Sequence, residues 1–409
     1  MDAEDHDMPK RNGKRNREGD EDQHKDDGLQ WMRGRSGSPL YRRPWVNIPL
    51  SKPLGRTLGF SLLTYNLLSP THAANHSYLY STPTYKYGPE VLDWRSRAPK
   101  IFAELQYYDA DIVCLQEVDA QYWHTLFEPK MRQMGYHGIY KKRTGGKPDG
   151  AALFYKTHKF AILASKAIEY VDQADGTDRD NVGLVGLLQA RDVDGPCVCI
   201  ATTHLLFNPR RGMIKLAQIQ CLAEAAAELA NIGEQLGMKI PIVITGDMNF
   251  TPGSLIYEYL VRGSAHVSWR VDEYLSGQQR AQPNSREWNE GFDSMFSSQS
   301  PATHQLPLRL KSALRPHHHV ETRYQYVSTC HDLDNQLVDF IFYGSRRRSS
   351  QEDEEEIQEE LIDVSLQCTG YLEPPTIKDH LRLPNQELPS DHVLLLVGFE
   401  FDGLNPASN

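Results

Sequence analysis

Six short apolar runs in this chain each end on a polar motif, and that repetition narrows the fold more than any other feature. In chain order the motifs are Thr64-Tyr65-Asn66, Leu115-Gln116-Glu117-Val118, Thr203-His204-Leu205-Leu206-Phe207-Asn208-Pro209, Gly246-Asp247-Met248-Asn249, Val338-Asp339-Phe340-Ile341 and Ser390-Asp391-His392. A short apolar run bounded by turn chemistry reads as a buried strand. Carboxylates, amides and imidazoles gathered at such strand ends suit a Mg²⁺-dependent phosphate-cleaving site. The cation takes oxygen ligands, and the phosphate takes amide and imidazole donors.

The rest of the pattern alternates. Strands are expected over Leu58–Leu67, Asp111–Leu115, 137–143, 150–156, Val182–Arg191, Val198–Thr203, Ile240–Thr245, Leu337–Phe342 and Val393–Phe399. Helices are expected over Trp94–Tyr107, around Ala120–Met134, and where Leu216, Ile219, Leu222, Ala226 and Leu229 keep helical spacing. Many strands with few helices between them predict a four-layer α/β sandwich, two packed mixed sheets flanked by helices.

The sequence divides into a charged tail over 1–43, one catalytic domain over 44–403 and a short tail over 404–409. Two irregular loops interrupt the domain. Residues 276–326 include His317-His318-His319, read as a surface loop. Residues 345–361 join Arg346-Arg347-Arg348 to an acidic run and read as a mobile hairpin excursion. Ser350, with Asp353 and Glu354 downstream, resembles an acid-directed kinase site.

A net charge of −10 excludes a protein that coats nucleic acid through its overall charge. The six cysteines cluster only at Cys197-Val198-Cys199, which predicts reduced thiols in an intracellular protein. No run approaches the roughly 20 apolar residues of a membrane span, and the polar start lacks a secretory signal. A cytoplasmic monomer without membrane contact is expected, reaching the nucleus if the basic cluster Lys10–Arg17 acts as an import signal. Protein partners are not legible.

Taken singly, the polar residues are ambiguous. Glu117 closing a strand can aim at a metal, or can serve as the first acid of a helix. Asn66 offers an amide to metal or phosphate, or simply makes a turn. Asp247 and Asn249, two residues apart, point the same way if the chain is extended, with an Asx-turn as the alternative. Asp391 can orient a histidine; since strand neighbours face opposite ways, its partner is expected elsewhere, His204 being one choice.

Together these residues resemble the endonuclease/exonuclease/phosphatase superfamily over roughly residues 56–401. The runs Asp149–Lys156 and His204–Arg211 are similar to the carbon-catabolite-repressor deadenylases and nocturnin. Pro44-Trp45, Tyr65-Asn66-Leu67-Leu68-Ser69 and Lys215-Leu216-Ala217-Gln218 are similar to the Angel proteins. The resemblance implies one or two Mg²⁺ ions, with Mn²⁺ as a substitute, held by Glu117 with Asn66, Asp247 and Asp391. It implies a catalytic set of Glu117, His204, Asp247, Asn249, Asp339, Asp391 and His392, and substrate contacts from Asn66, Asp149 and Asn208. Val-Asp-Phe-Ile at 338–341 departs from the more usual Ile-Asp-Tyr-Ile, losing a hydroxyl and keeping the acid. Arg210, Arg211 and Lys215 are placed to meet an RNA backbone, a solvated surface being the plainer alternative.

The implied reaction is Mg²⁺-dependent hydrolysis of a 2′,3′-cyclic phosphate at an RNA 3′ end, then of the monophosphate, leaving a diol. Asp247 is the expected general base. The alternatives are a 3′→5′ poly(A) exonuclease, with Phe207, Trp288 or Phe292 stacking adenine, and a non-catalytic RNA adaptor.

Overall fold

The computed structural model describes residues 41–50, 58–80, 88–172, 179–191, 195–234, 240–266, 274–278, 304–314, 326–331, 334–347 and 366–401. The charged tail as far as residue 40, His317–His319, Trp288, Phe292 and the acidic stretch with Ser350 lie outside these residues.

Two sheets carry the fold. The first contains β1 (Trp45–Asn47), β2 (Gly59–Asn66), β3 (Ile112–Asp119), β4 (Tyr136–Lys142), β5 (Asp149–Lys156), β16 (Leu366–Leu372) and β17 (Leu395–Phe401), in the order β1-β16-β17-β2-β3-β5-β4. The second contains β6 (Phe160–Glu169), β7 (Val182–Ala190), β8 (Cys197–His204), β9 (Ile242–Asp247), β12 (Leu308–Ser312) and β15 (Asp339–Arg346), in the order β12-β15-β9-β8-β7-β6. Two small ladders lie beside them, β10 (Ser264–Ala265) with β11 (His304–Gln305) and β13 (Thr329–His331) with β14 (Asp334–Gln336). Helices are α1 (Pro70–Asn75), α2 (Trp94–Tyr108), α3 (Ala120–Tyr122), α4 (Glu128–Gln133), α5 (Gly212–Glu234) and α6 (Leu255–Arg262).

Side-chain alternation separates the layers. In β2 and β3, Phe60, Leu62, Ile112 and Cys114 face the second sheet and pack with Leu188, Val198 and Ile200. Leu63, Tyr65, Val113 and Leu115 face outward against Ile101 and Leu105 of α2 and Phe127 and Met131. The helix α5 covers the outer face of the second sheet with Leu216, Ile219, Leu222, Ala226 and Leu229. Each of the larger side chains contributes about 1.5–3 kcal/mol by leaving water. The expected four-layer sandwich is what these residues build.

Each sheet holds one parallel pair near its middle, β2 with β3 and β8 with β9. A parallel pair needs a crossover, supplied by α2 in the first sheet and α5 in the second. Both pairs end on the same rim, and that placement makes the site. Below the rim, Gln116 Nε2 donates to Thr64 Oγ1 and Thr202 Oγ1, each at 3.1 Å, pinning sheet to sheet.

Several expected boundaries differ. The strand expected to stop at Leu115 continues as β3 to Asp119 through a bulge: Leu115 pairs with Ala152, then Val118 with Gly150. Glu117 therefore lies within the strand, at φ 56°, a left-handed conformation that costs a non-glycine residue about 1–2 kcal/mol. On the other side of β5, Gly150 lets β4 approach closely, since a Cβ there would lie 2.2 Å from the Lys141 carbonyl oxygen. Likewise Gly246 does not stop β9, which runs on to Asp247. At φ 138° its missing Cβ leaves room for the Thr203 carbonyl.

The helix expected over 120–134 is broken by a wider turn at Trp123–Phe127, where the Glu128 amide reaches back to the Trp123 carbonyl. Pro129 has no N–H to return to Thr125, so regular helix cannot continue there. The strand β6 was not expected. It is an edge strand of alternating exposure whose alanines and lysine carry little strand preference. The irregular stretch 276–326 contains β12, and the connection over 345–361 is no hairpin, since β15 and β16 belong to different sheets. No helix among the described residues is long and apolar enough to cross a membrane.

Candidate active site

The rim gathers side chains from both sheets around Asp247, the last residue of β9. Its Oδ2 accepts from Asn66 Nδ2 at 3.0 Å and lies 3.4 Å from His204 Nε2 and 3.7 Å from His392 Nε2. Its Oδ1 accepts the Asn249 amide at 3.1 Å. Asp339 pairs with Asp247 in the β15–β9 register, and His204 with Asp247 in the β8–β9 register, so three site residues share one ladder level.

Glu117 closes the other half. Its Oε1 accepts from Asn66 Nδ2 at 3.2 Å and lies 3.9 Å from His204 Nδ1. Its Oε2 accepts the Ser69 amide at 2.8 Å and contacts His72 Nδ1 at 2.9 Å. His72 Nε2 lies 3.4 Å from Asp149 Oδ1, which Arg143 Nη1 approaches at 3.5 Å. Asn66 thus bridges the two halves with one amide group.

Charge follows from these contacts. Burial opposes the Glu117 carboxylate, yet His72, His204 and the Ser69 amide hold it well below the usual carboxylate range. Burial also opposes a charge on His72, but Glu117 and Asp149 lift it to about 9. Burial pushes His204 down to about 4, leaving a neutral imidazole at pH 7. Burial and the Glu117 charge raise Asp149. His392 goes the other way: despite burial, Asp339 and Asp247 raise it well above the ordinary value of 6.5. Asp339 Oδ2 meets His392 Nδ1 at 2.8 Å, an acid–imidazole pair sharing a proton.

Sequence reasoning assigned these roles differently in places. Asp391 was the expected orienting acid, with His204 as a partner; the structure sets Asp339 on His392 instead. Asp391 accepts from Tyr80 Oη at 2.7 Å, and the carboxylates near His204 are those of Glu117 and Asp247. Asn249 is not extended but left-handed, at φ 50°. Its Nδ2 donates to the Leu205 carbonyl at 3.1 Å, so the Asx-turn and the site position coexist. Asn208, Arg210 and Arg211 stay on the exposed loop after β8, where Asn208 Oδ1 accepts the Arg210 amide. His72 and Tyr80 were not expected. They lie on the short helical insert after Ser69, whose hydroxyl caps α1 just ahead of Pro70, the local helix-start signal in the sequence.

Lys215 was expected on an RNA-facing surface and is fully buried. Its Nζ donates to the Asn249 carbonyl at 2.5 Å and to Gln278 Oε1 at 2.6 Å, fixing the turn that carries Asn249. Burial pushes its pKa from 10.5 down to about 7. Between those values the unfolded chain binds more protons, so this group makes stability rise with pH over that window. Lys215→Met should flatten the rise, read from urea midpoints at pH 7 and 9.5, and lower kcat about 10-fold by freeing the turn. An unchanged pH dependence would remove this account.

The donor set fits a divalent cation. Asp247, Asp339 and His392 place ligand atoms within 4.8 Å of one another. Asp339 and His392 share a proton, and His72 bridges Glu117 and Asp149; the latter pair offers only oxygen atoms, which suits a hard cation, and a cation there would take over the charge that His72 now supplies. Asp339 Oδ1 and His204 Nδ1 are buried without a partner among the described residues, consistent with a group that completes the site.

Comparison with known proteins agrees with this geometry. The Endonuclease/Exonuclease/phosphatase family matches residues 63–392. Protein angel homolog 2 of Bos taurus is 32% identical over 397 residues, covering 87% of this chain and 71% of its own length. The human homolog 2 is 33% identical over 84% of this chain and 69% of its own. Among solved structures, ANGEL2, a 2′,3′-cyclic phosphatase in complex with adenosine-2′,3′-vanadate, matches with TM-score 0.70 and 33% identity, over 89% of this chain and 99% of that one. The human nocturnin catalytic domain matches with TM-score 0.54 and 20% identity, over 89% of this chain and 99% of that one, a likeness of fold.

Proposed function

The chain belongs to the endonuclease/exonuclease/phosphatase family, and from that premise we propose that it hydrolyses 2′,3′-cyclic phosphate at RNA 3′ ends, and then the resulting monophosphate, to leave a 2′,3′-diol. The observation that carries this reading is the rim itself: Asp247 between two histidines, with Asn66 linking it to Glu117. The ANGEL2 match supports the substrate class.

Water enters on the Asp247 side, where Oδ2 accepts its proton and directs the oxygen at phosphorus. Attack breaks one ring P–O bond, and the leaving ribose oxygen takes a proton from His392, which Asp339 holds in the donor state. Neutral His204 donates to a non-bridging oxygen, and the clamped Asn249 turn keeps that wall in register. A second water repeats the attack on the monoester and releases phosphate. Bound Mg²⁺ would be held by the carboxylates of Glu117 and Asp149, which Asn66 Nδ2 helps to position through Glu117, and would neutralise charge developing on the phosphoryl group.

The test uses two RNAs of one sequence with an oligo(A) tail, one ending in 2′,3′-cyclic phosphate and one in 3′-hydroxyl, with Mg²⁺ and with EDTA and Glu117→Ala controls. Conversion of the cyclic end to a diol at constant length is the expected result. A ladder of shortened products from the hydroxyl-ended RNA would replace this reading with a deadenylase.

A further inference from the structure

The end of β4 and its connection to β5 read Lys141-Lys142-Arg143-Thr144-Gly145-Gly146-Lys147-Pro148: four cations and no acid, in a chain whose net charge is −10. Its base touches the site. The Arg143 amide donates to the Asp149 carbonyl at 2.9 Å, and Arg143 Nη1 reaches Asp149 Oδ1 at 3.5 Å. The charge of Arg143 is felt at both His72 and His204. Arg143 Nε is buried with no hydrogen-bond partner among the described residues, a donor aimed at nothing the protein supplies.

Farther out the cations are open to solvent. Lys141 is paired with Glu169, whereas Lys142 and Lys147 are exposed and have no carboxylate partner among the described residues. Among the described residues β4 is the edge of its sheet, and no further strand there blocks approach from that side. An RNA whose 3′ end lies in the site must lead the rest of its backbone away past an acidic protein. Each phosphate is repelled except where cations line the path. The Arg210–Arg211 loop also offers cations, but no ion pair among the described residues joins it to the carboxylates of the rim.

We propose that the β4–β5 hairpin carries the RNA backbone immediately 5′ of the reacting end. Arg143 takes the first phosphodiester, and Lys142 and Lys147 take those beyond. This rests on the proposed RNA substrate, and adds a binding track distinct from the phosphate under attack.

The test compares wild type, the double variant Lys142→Glu/Lys147→Glu, and the equally charged control Lys130→Glu/Lys166→Glu. Each is assayed on a short RNA ending in 2′,3′-cyclic phosphate and on the matching nucleoside 2′,3′-cyclic phosphate. The expected result is a fall of about 10-fold or more in the RNA-to-nucleoside ratio of kcat/KM for the hairpin variant alone. The slope of log KM for RNA against log salt should become shallower by about 0.7 for each phosphate that the variant no longer neutralises. A ratio unchanged in the hairpin variant, or equally reduced in the control, overturns the track. Inactivity of wild type on both substrates would refute the proposed reaction instead. Fluorescence anisotropy of a labelled 3′-hydroxyl RNA then decides the track separately: weaker binding by the hairpin variant than by the control sustains it, and equal binding ends it.

Discussion

Asp247→Asn should lower kcat by on the order of 10³-fold or more, within the range for loss of a positioned general base, while the fold stays intact. The substitution is nearly isosteric, and its amide oxygen can still accept the Asn249 N–H that now reaches Asp247 Oδ1 at 3.1 Å. What disappears is both the charge and the acceptor at Oδ2, the atom facing Asn66, His204 and His392 together. Burial already works against that charge in the folded state, which offsets part of the cost of losing the hydrogen bond from Asn66 Nδ2, so the variant should melt cooperatively and only modestly lower than wild type. Steady-state rates on a cyclic-phosphate RNA and a thermal melt separate the two effects. More than a tenth of wild-type kcat would mean that water is activated elsewhere.

Asp339→Asn should cost about 10²–10⁴-fold in kcat through a residue that acts on His392 rather than on substrate, the range general acid–base catalysis itself supplies. Asp339 accepts from His392 Nδ1 and is the main charge opposing the burial that would otherwise strip His392 of its proton. With an amide there, the imidazole loses its charge at lower pH and can adopt the other tautomer. The rate should therefore fall at lower pH as pH rises, moving the alkaline limb of the kcat profile acidward. The same linkage acts on stability. The raised pKa of His392 stabilises the fold fully below pH 6.5, and that contribution fades as pH rises through the folded-state value. A variant whose rate falls without any movement of the alkaline limb would show Asp339 acting by packing alone.

The legible part of the fold and site lies where apolar runs stop. Asn66 and His204 end their strands as their neighbours predicted, and the two-sheet sandwich follows from the same runs. Other features depend on single dihedral angles or on partners distant in sequence. The bulge that turns Glu117 depends on Ala152 and Gly150 in another strand, which no local window around Leu115 contains. Asn249 sits in a conformation that asparagine tolerates but does not announce. Asp391 and Asp339 are equally plausible partners for a histidine until β15 is registered against β9. His72 escaped because it lies on a six-residue helix with no apolar stripe long enough to reveal which side faces inward. Lys215 misled for the opposite reason: a lysine at a helix start looks solvated, and only the carbonyl of Asn249 and Gln278 explain its burial.

The place of β17 has a consequence for how the protein is made. This strand is the last in chain order among the described residues, yet it sits between β16 and β2, pairing Leu395 with Thr64 and Phe399 with Phe60. Domains fold as units while the ribosome is still adding residues. Here β2 emerges early and keeps an unsatisfied apolar edge until its partner arrives more than half the chain later. Such an edge invites pairing with other chains, so the growing polypeptide needs shielding until β17 has been added. His392 arrives only just ahead of that strand. A nascent chain already displaying Glu117, His204 and Asp247 therefore lacks the acid–imidazole pair of Asp339 and His392 until residue 392 has been added.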